Sequence, residues 1–381
     1  MADFFFYGVL CHPPLLEAVL GHPVATQAAM LAGQSVHWAT GESFPVLVER
    51  PDGAAHGLLV AGLSAADVAR IDFYASGYSC SRRGVDVKRT GAAGGGLRAA
   101  QAYVAAPGTA RPGADWRLSD WVACCAPVVV AAALDLMASY GSPVAERSLA
   151  RHQMLLIRAA SRLRAATEPE PSAVRRHAVP GDVQVEAIGE PYASFFAVEE
   201  YVLRHRRFDG SFSQRVERAA FVSGDAATVL PYDPVRDRVM LVEQFRPGPF
   251  ARGDRQPWQL EPIAGRIDPF ETPEAAARRE ALEETGLQLD DLMLIARYYP
   301  SPGAKTEFLY SFIGLVDLPD AAAGVGGLLA EGEDIRAHLV GFADLLALIE
   351  SGEVANAPLI LSALWLAARR DALRTAAGVP G

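Results

Sequence analysis

The chain has 381 residues, a length that suggests two domains at roughly 100–200 residues per domain. Half of the residues are hydrophobic and 21% are charged, which supports buried cores and excludes a disordered or fibrous chain. The formal net charge of −10 repels phosphate backbones and anionic membrane surfaces, so neither nucleic acid nor a membrane is an expected partner.

In chain order, Asp3 stands where a signal peptide carries positive charge, and the chain reads as cytoplasmic. An apolar run at 4–10 and strand-like segments at 44–49, 55–60, 85–88 and 99–104 describe a small, strand-rich α+β unit. The glycine-rich stretch 91–96 precedes a strand rather than a helix, so it reads as a hairpin connection, not a phosphate loop. Residues 118–164 are rich in Ala, Leu and Arg at helical spacing. Their longest apolar run, 121–134, contains Pro127, stops at Asp135 and falls short of the roughly 20 residues a bilayer requires. Cys11, Cys80, Cys124 and Cys125 lack metal-ligand spacing and are expected as buried free thiols. His12 and His37 stand alone and are expected in packing or surface roles. Residues 166–182 carry three prolines and no apolar period, the pattern of a linker. The division is therefore 1–115, a helical extension over 116–165, the linker, and a second domain over 183–381.

In the second domain, strands are expected at 227–231 and 238–244 around a Pro- and Asp-rich turn, and again at 294–299 and 308–316. Helices are expected at 342–349 and 358–370. Thr272 suits a helix N-cap, Pro273 the first helical position and Gly286 the stop, which predicts a helix over 273–284. On it Glu280, Glu283 and Glu284 share one face, an arrangement that costs stability unless positive charge sits among them. Arg279 can offset part of the repulsion by pairing back to Glu271, and a hard divalent cation would complete the compensation.

The full spacing of Gly265, Glu271, Arg279, Glu280, Glu283, Glu284 and Gly286 resembles the Nudix box of the Nudix hydrolases. A chance match in a given register is on the order of one in a hundred million, which sets aside the alternative of an acid-rich surface helix. Ala281 is small where that pattern usually has a larger aliphatic. Further segments, Leu230 to Asp237, Glu243 to Arg246, Trp258 to Gly265, Ser301 to Gly303 and Glu331 to Arg336, are similar to the ADP-ribose pyrophosphatase branch, which includes proteins associated with tellurite resistance.

That resemblance implies an α/β/α sandwich and a homodimer formed by exchange of the early strands of this domain. It implies Mg²⁺ or Mn²⁺ held by the Ala264 carbonyl, Glu280, Glu283, Glu284 and Glu333. Glu331 is implied as general base, with Glu283 and Arg279 also in the catalytic set. Arg246 matches a residue that contacts substrate phosphates, and Ser301, Pro302, Gly303 and Glu307 match a loop lining the terminal ribose. Arg218, Phe195 and Phe196 fall where adenine is clamped, with Arg266 also on the substrate side; strand core is the alternative for the two phenylalanines. Ala219 and Ser223 replace polar residues expected nearby. The implied reaction is hydrolysis of ADP-ribose to AMP and ribose 5-phosphate, with GDP-mannose or another nucleoside diphosphate sugar as alternative substrates.

Tyr7-Gly8-Val9-Leu10, with Phe44 to Val48 and Ile71-Asp72-Phe73-Tyr74, resembles the γ-glutamylcyclotransferase-like family. There a small mixed barrel binds the γ-glutamyl group at the Tyr-Gly loop. The position that carries the general acid/base in active members is Ala75 here, so turnover is not expected unless another acid such as Glu42 reaches the site. Packing, dimerisation or ligand sensing are the remaining roles for this domain. A non-enzymatic ADP-ribose sensor is disfavoured by the complete set of box glutamates and the lack of a basic DNA-binding unit.

Overall fold

The computed structural model describes residues 1–381 other than 79, 91–95, 107, 109, 143, 328–333, 380 and 381. The chain divides into two compact units, Met1–Glu170 and Pro171–Gly381.

The first unit opens with β1 (Ala2–Phe6) and α1 (Pro13–Leu20), whose two leading prolines occupy the turn where backbone N–H groups have no helical partner. Then come β2 (Gln27–Ala39), β3 (Pro45–Leu63), α2 (Ala65–Ser76), β4 (Cys80–Arg89), β5 (Leu97–Ala105) and β6 (Pro112–Asp115). The strands run β3-β1-β5-β4-β2 and close through a β2–β3 pairing into a five-stranded barrel, with β6 attached to β2. β1 and β5 are parallel and the other pairs antiparallel, so the barrel is mixed.

The segments expected separately at 44–49 and 55–60 form the single strand β3. Its ladder passes from Gln34↔Glu49 to Ala32↔Ala54, so residues 50–53 bulge opposite Gly33, whose φ of 74° suits glycine. Residues 91–95 of the glycine-rich stretch lie outside the described residues, but its flanking strands β4 and β5 pair antiparallel up to Lys88↔Leu97.

Helices α3 (Leu118–Cys124), α4 (Ala126–Ala138), α5 (Ala145–Ala150) and α6 (His152–Ala165) complete this unit. Val129, Ala133 and Leu136 of α4 share one core with Leu15 and Val19 of α1, Ile71 of α2 and Leu155 of α6. Trp121 is fully buried, its indole N–H donating to the Ser43 carbonyl at 2.8 Å. α3 and α4 are bent by 76°, and among the described residues no single helix is long and apolar enough to cross a membrane. Of the four cysteines expected in the core only Cys125 is buried; Cys124 is exposed, and Cys11 and Cys80 are intermediate. Cys124 ends α3 and Cys125 sits at the bend before α4, and only the latter is turned into the core. His12 packs edge-on to Trp121, and His37 meets Ser35 and the Gly113 carbonyl.

The second unit begins with irregular chain that ends at Asp182, a buried carboxylate that accepts from Arg176 at 2.6 Å and Arg206 at 2.9 Å. β7 (Val183–Ala193), β8 (Ala197–His205) and β9 (Val216–Val222) form an antiparallel three-stranded sheet. The main sheet is built from β10 (Ala226–Asp233) and β11 (Arg238–Phe245), followed after α7 (Pro247–Arg252) by β12 (Trp258–Glu261) and β13 (Ile263–Arg266). After α8 (Pro273–Thr285) it gains β14 (Asp291–Tyr298), β15 (Leu309–Leu315), β16 (Gly324–Gly326) and β17 (Ile335–Gly341). The order is β14-β15-β10-β11-β17-β16, with β12 paired to β11 and β13 to β10.

On one face Ala277 and Ala281 of α8 pack against Val229, Val242, Ile263 and Phe312. On the other, α9 (Phe342–Ser351) and α10 (Ala357–Ala367) cover Leu230, Leu241 and Ile313. The result is an α/β/α sandwich and, with the barrel, the two-domain α+β fold expected from the sequence. The helix expected over 358–370 stops at Ala367, and α11 (Arg370–Ala376) starts afresh. There Arg370 donates from Nε to Asp237 at 2.7 Å, pinning α11 to the β10–β11 turn.

Candidate functional site

α8 forms where its caps predict. Thr272 accepts from Ala275 N–H at 3.2 Å, Pro273 opens the first turn, and Gly286 ends the helix with φ 72°. The helix thereby carries Arg279, Glu280, Glu283 and Glu284 on its last two turns, next to the end of β13. Arg279 is the hub. It donates from Nε and Nη2 to Glu271 at 3.0 and 2.9 Å, from Nη1 to Glu280 at 2.8 Å and Glu283 at 3.0 Å, and from Nη2 to the Arg266 carbonyl at 3.0 Å. Burial alone would lower the Arg279 pKa, but the hydrogen bond to Glu271 and the charge of Glu280 outweigh it, so the guanidinium stays charged. The Asp268 pKa is also raised, by burial first, with the charge of Arg279 opposing and those of Glu271 and Glu283 adding to the rise.

Glu280 lies against the backbone of Gly265, where a Cβ would meet Oε1 at 1.8 Å and Cδ at 1.9 Å. Glycine leaves the space the Glu280 carboxylate occupies, and its backbone conformation does not demand glycine. Glu284 is 2% exposed, so its carboxylate is turned into the domain beside Ala281. Glu331 and Glu333 lie outside the described residues.

Among the described residues no group of three or more His, Cys, Asp or Glu side chains is arranged to hold a metal ion. The donor chemistry nevertheless fits a hard divalent cation. Such an ion keeps several waters and needs one or two carboxylates plus substrate phosphates, not a complete protein cage. Glu280 supplies a carboxylate held one residue from the Ala264 carbonyl, and Glu283 and Glu284 follow within one turn.

Arg246 occupies the N-cap position of α7 without a side-chain cap bond and is held by Glu261, with its Nε and Nη2 donating to Oε2 at 2.7 and 2.6 Å. Phe195 and Phe196 sit in the β7–β8 connection and not in strand core. Phe195 is 58% exposed, edge-on to Phe196, and the Arg266 guanidinium lies 4.0 Å from its ring centroid. Phe196 in turn packs on Phe221 of β9. The 301–307 loop joins this cluster through its backbone, because Phe221 N–H donates to Ala304 O at 2.8 Å and Thr306 N–H to Phe221 O at 3.0 Å. Ser301 closes a turn by accepting from Ala304 and Lys305, Pro302 and Gly303 form its exposed tip, and Glu307 is 3.7 Å from Lys305. The structure thus gathers Phe195, Phe196, Arg266 and the 301–307 loop. Arg218 stands three residues before Phe221 on β9 and donates to the Glu217 carbonyl at 2.8 Å.

Sequence reasoning missed Glu261 and Asn356, which the fold joins at 2.8 Å across 95 residues of chain. It also missed Gln244, a buried side chain whose Nε2 has no hydrogen-bond partner. Strand β11 places it in register with Gln259, inside the Glu243 to Arg246 segment, and its burial has no local sequence signature.

In the barrel, Tyr7, Gly8, Val9 and Leu10 line a cleft of about 80 Å³ together with Tyr74, Ala75 and Tyr78. Gly8 is required because a Cβ would meet Pro45 Cγ at 2.6 Å. Tyr7 donates to the Tyr103 carbonyl at 2.8 Å, and Tyr74 and Tyr78 bond to each other at 3.1 Å. None of the described lining residues carries a charge, and Glu42 is exposed outside the lining. Behind Tyr78 the His152 ring packs edge-on, buried with neither nitrogen hydrogen-bonded, and burial pushes its pKa down to about 4.

Residues 222–361 match the NUDIX domain family, and residues 4–123 match the family described as gamma-glutamyl cyclotransferase, AIG2-like. The ADP-ribose pyrophosphatase of Escherichia coli (strain K12) is 39% identical over 193 residues, covering 51% of this chain and 91% of that protein. The ADP-ribose pyrophosphatase of Haemophilus influenzae is 36% identical over 186 residues, 48% of this chain and 85% of that protein. The GDP-mannose pyrophosphatase of Yersinia pestis is 31% identical over 180 residues, 47% of this chain and 87% of that protein.

Proposed function

Since the chain belongs to the NUDIX family, we propose that its second domain is a metal-dependent hydrolase of nucleoside diphosphate sugars that cleaves ADP-ribose to AMP and ribose 5-phosphate. The observation that carries this reading is the Arg279-centred carboxylate cluster packed on Gly265. A pyrophosphate repels an attacking hydroxide, and bound Mg²⁺ or Mn²⁺ supplies the screening of phosphate oxygens and the acidification of water that the reaction needs. Glu280, Glu283 and Glu284, with the Ala264 carbonyl, would hold it, and Glu333 is proposed to join them.

The chain's own groups do the rest. Arg279 keeps Glu280 and Glu283 together on one face despite their repulsion. Arg246 presents a guanidinium to the phosphates, and Phe195, Phe196 and Arg266 offer a stacking surface to the base. Arg218 is proposed to reach the same substrate, and Ser301, Pro302, Gly303 and Glu307 to line its terminal ribose. Glu331 is proposed to take the proton of the attacking water as the bond between phosphorus and the bridging oxygen breaks. Similarity to the Yersinia pestis protein supports GDP-mannose as the second substrate to test.

A homodimer is proposed through the early strands, since Val183, Val185, Ile188 and Tyr192 of β7 are all exposed apolar side chains. Four free thiols suit a reducing compartment, the cytoplasm. A link to tellurite resistance rests on the sequence resemblance alone.

Comparing kcat/KM for ADP-ribose and GDP-mannose tests the assignment, together with the variant Glu284→Gln. The variant is expected to lose several orders of magnitude in turnover with its fold intact. Near-normal turnover by Glu284→Gln would refute the site.

A further inference from the structure

We infer that Asn356 and Glu261 are positioning residues for Arg246: a hydrogen-bonded relay from the N-cap of α10 fixes the guanidinium that faces the substrate phosphates. The inference rests on the proposed reading of the site. Its geometry is independent of that reading.

Glu261 ends β12 with its side chain 9% exposed, and a buried carboxylate is tolerated only when both oxygens are partnered. Here the two oxygens have different partners. Oε2 accepts from Arg246 Nε at 2.7 Å and Nη2 at 2.6 Å, and Oε1 accepts from Asn356 Nδ2 at 2.8 Å. The Asn356 amide is itself oriented, because its Oδ1 caps α10 by accepting from Leu359 N–H at 3.1 Å. With the oxygen committed to the helix, the amino group has to point at Glu261. The Arg246 backbone is fixed separately by donation from its N–H to the Pro257 carbonyl at 3.0 Å.

Arginine carries five N–H donors in a rigid fork. Gripping the Nε–Nη2 edge on one carboxylate oxygen leaves the Nη1 end for a phosphate, and the side chain is 37% exposed on that account. Remove the Nδ2 donor and Oε1 is left buried without its partner. The carboxylate then gains from rotating, and Oε2 carries Arg246 with it.

The cap makes the test clean. Asn356→Ser and Asn356→Asp both retain a cap acceptor for Leu359 N–H. Serine removes the Nδ2 amide and leaves only a hydroxyl one bond closer to the backbone, and aspartate sets a second carboxylate against Glu261. On the full-length enzyme, Asn356→Ser is expected to raise KM for ADP-ribose about tenfold, the low end of losses for such supporting groups, with kcat within about twofold. Asn356→Asp should do more, and thermal midpoints should stay close to wild type. In an Arg246→Ala background the Asn356→Ser change should cost nothing further, because residues acting as one unit are non-additive. An equal cost in both backgrounds, or an unchanged KM in an active enzyme, would overturn the relay.

A readout without turnover separates the two proposals. In ¹⁵N NMR the Arg246 Nε–H should exchange slowly with water in the wild type and faster in Asn356→Ser. If wild-type protein leaves ADP-ribose intact, the functional reading fails while this exchange still judges the relay. An Arg246 Nε–H signal unaffected by Asn356→Ser would refute it whatever the enzyme hydrolyses.

Discussion

Replacing Gly265 with alanine isolates the contact on which the site turns. A Cβ there would stand 1.8 Å from Glu280 Oε1 and 1.9 Å from its Cδ. Ordinary contact begins at 3.4 Å, so the carboxylate must retreat by about 1.6 Å. The clash is with the far end of a flexible side chain, so α8 and β13 can stay in place. A Mg²⁺–oxygen bond spans about 2.1 Å in a near-ideal octahedron, and a retreat of that size takes Glu280 out of reach. A misplacement of about 1 Å at a reacting centre costs about a hundredfold, which corresponds to about 2.7 kcal/mol in the barrier. Gly265→Ala should therefore lose at least about two orders of magnitude in kcat/KM and require more metal for half-maximal rate. Its unfolding midpoint should move little. Steady-state rates over a metal titration, with thermal unfolding alongside, measure all three. Normal turnover at normal metal demand would show that the Glu280 carboxylate does not act from this position.

Two other predictions concern the barrel unit. His152 is neutral in the fold with a pKa near 4, whereas an unfolded histidine titrates near 6.5. Between those values the unfolded chain binds a proton that the folded chain does not, so stability falls as pH drops from about 6.5 towards 4, by about 2 kcal/mol at pH 5. Unfolding of His152→Leu at pH 7 and pH 5 should show a smaller acid penalty than the wild type, and an identical pH dependence would exclude His152 as the cause. The protein should also release no 5-oxoproline from a γ-glutamyl dipeptide, because Ala75 cannot transfer a proton and no described residue lining the cleft is an acid. Detection of 5-oxoproline by chromatography would show that an acid from elsewhere serves that cleft.

How much of this was readable beforehand depended on whether the governing forces were local. The caps of α8 are a few residues from the helix they stop, and the Arg279–Glu271 pair follows from charges that cannot stand together unpaired. Likewise the β10–β11 turn announced itself through Pro234 and Asp237, the latter held at φ 55°.

Other features have no local signature. The segments 44–49 and 55–60 read as two strands, while the structure carries residues 50–53 as a bulge in one continuous strand. The capping box at Ser64 and Asp67 would have revealed α2, where hydrophobic spacing alone did not. Cys124 was placed in the core by residue type, whereas it ends α3 at the bend before α4 and is exposed. Phe195 and Phe196 read equally well as strand core until the chain reversed between β7 and β8. Asn356 and Glu261 are 95 residues apart, and only the packing of α10 beside β12 brings them together.

The central claim is metal-dependent cleavage of a pyrophosphate bond, and product analysis after incubating the full-length protein with ADP-ribose tests it most directly. Parallel samples would contain Mg²⁺ or a chelator. AMP and ribose 5-phosphate in equal amounts, formed only with the metal, is the predicted result; intact ADP-ribose in both samples, or cleavage unaffected by the chelator, would contradict it.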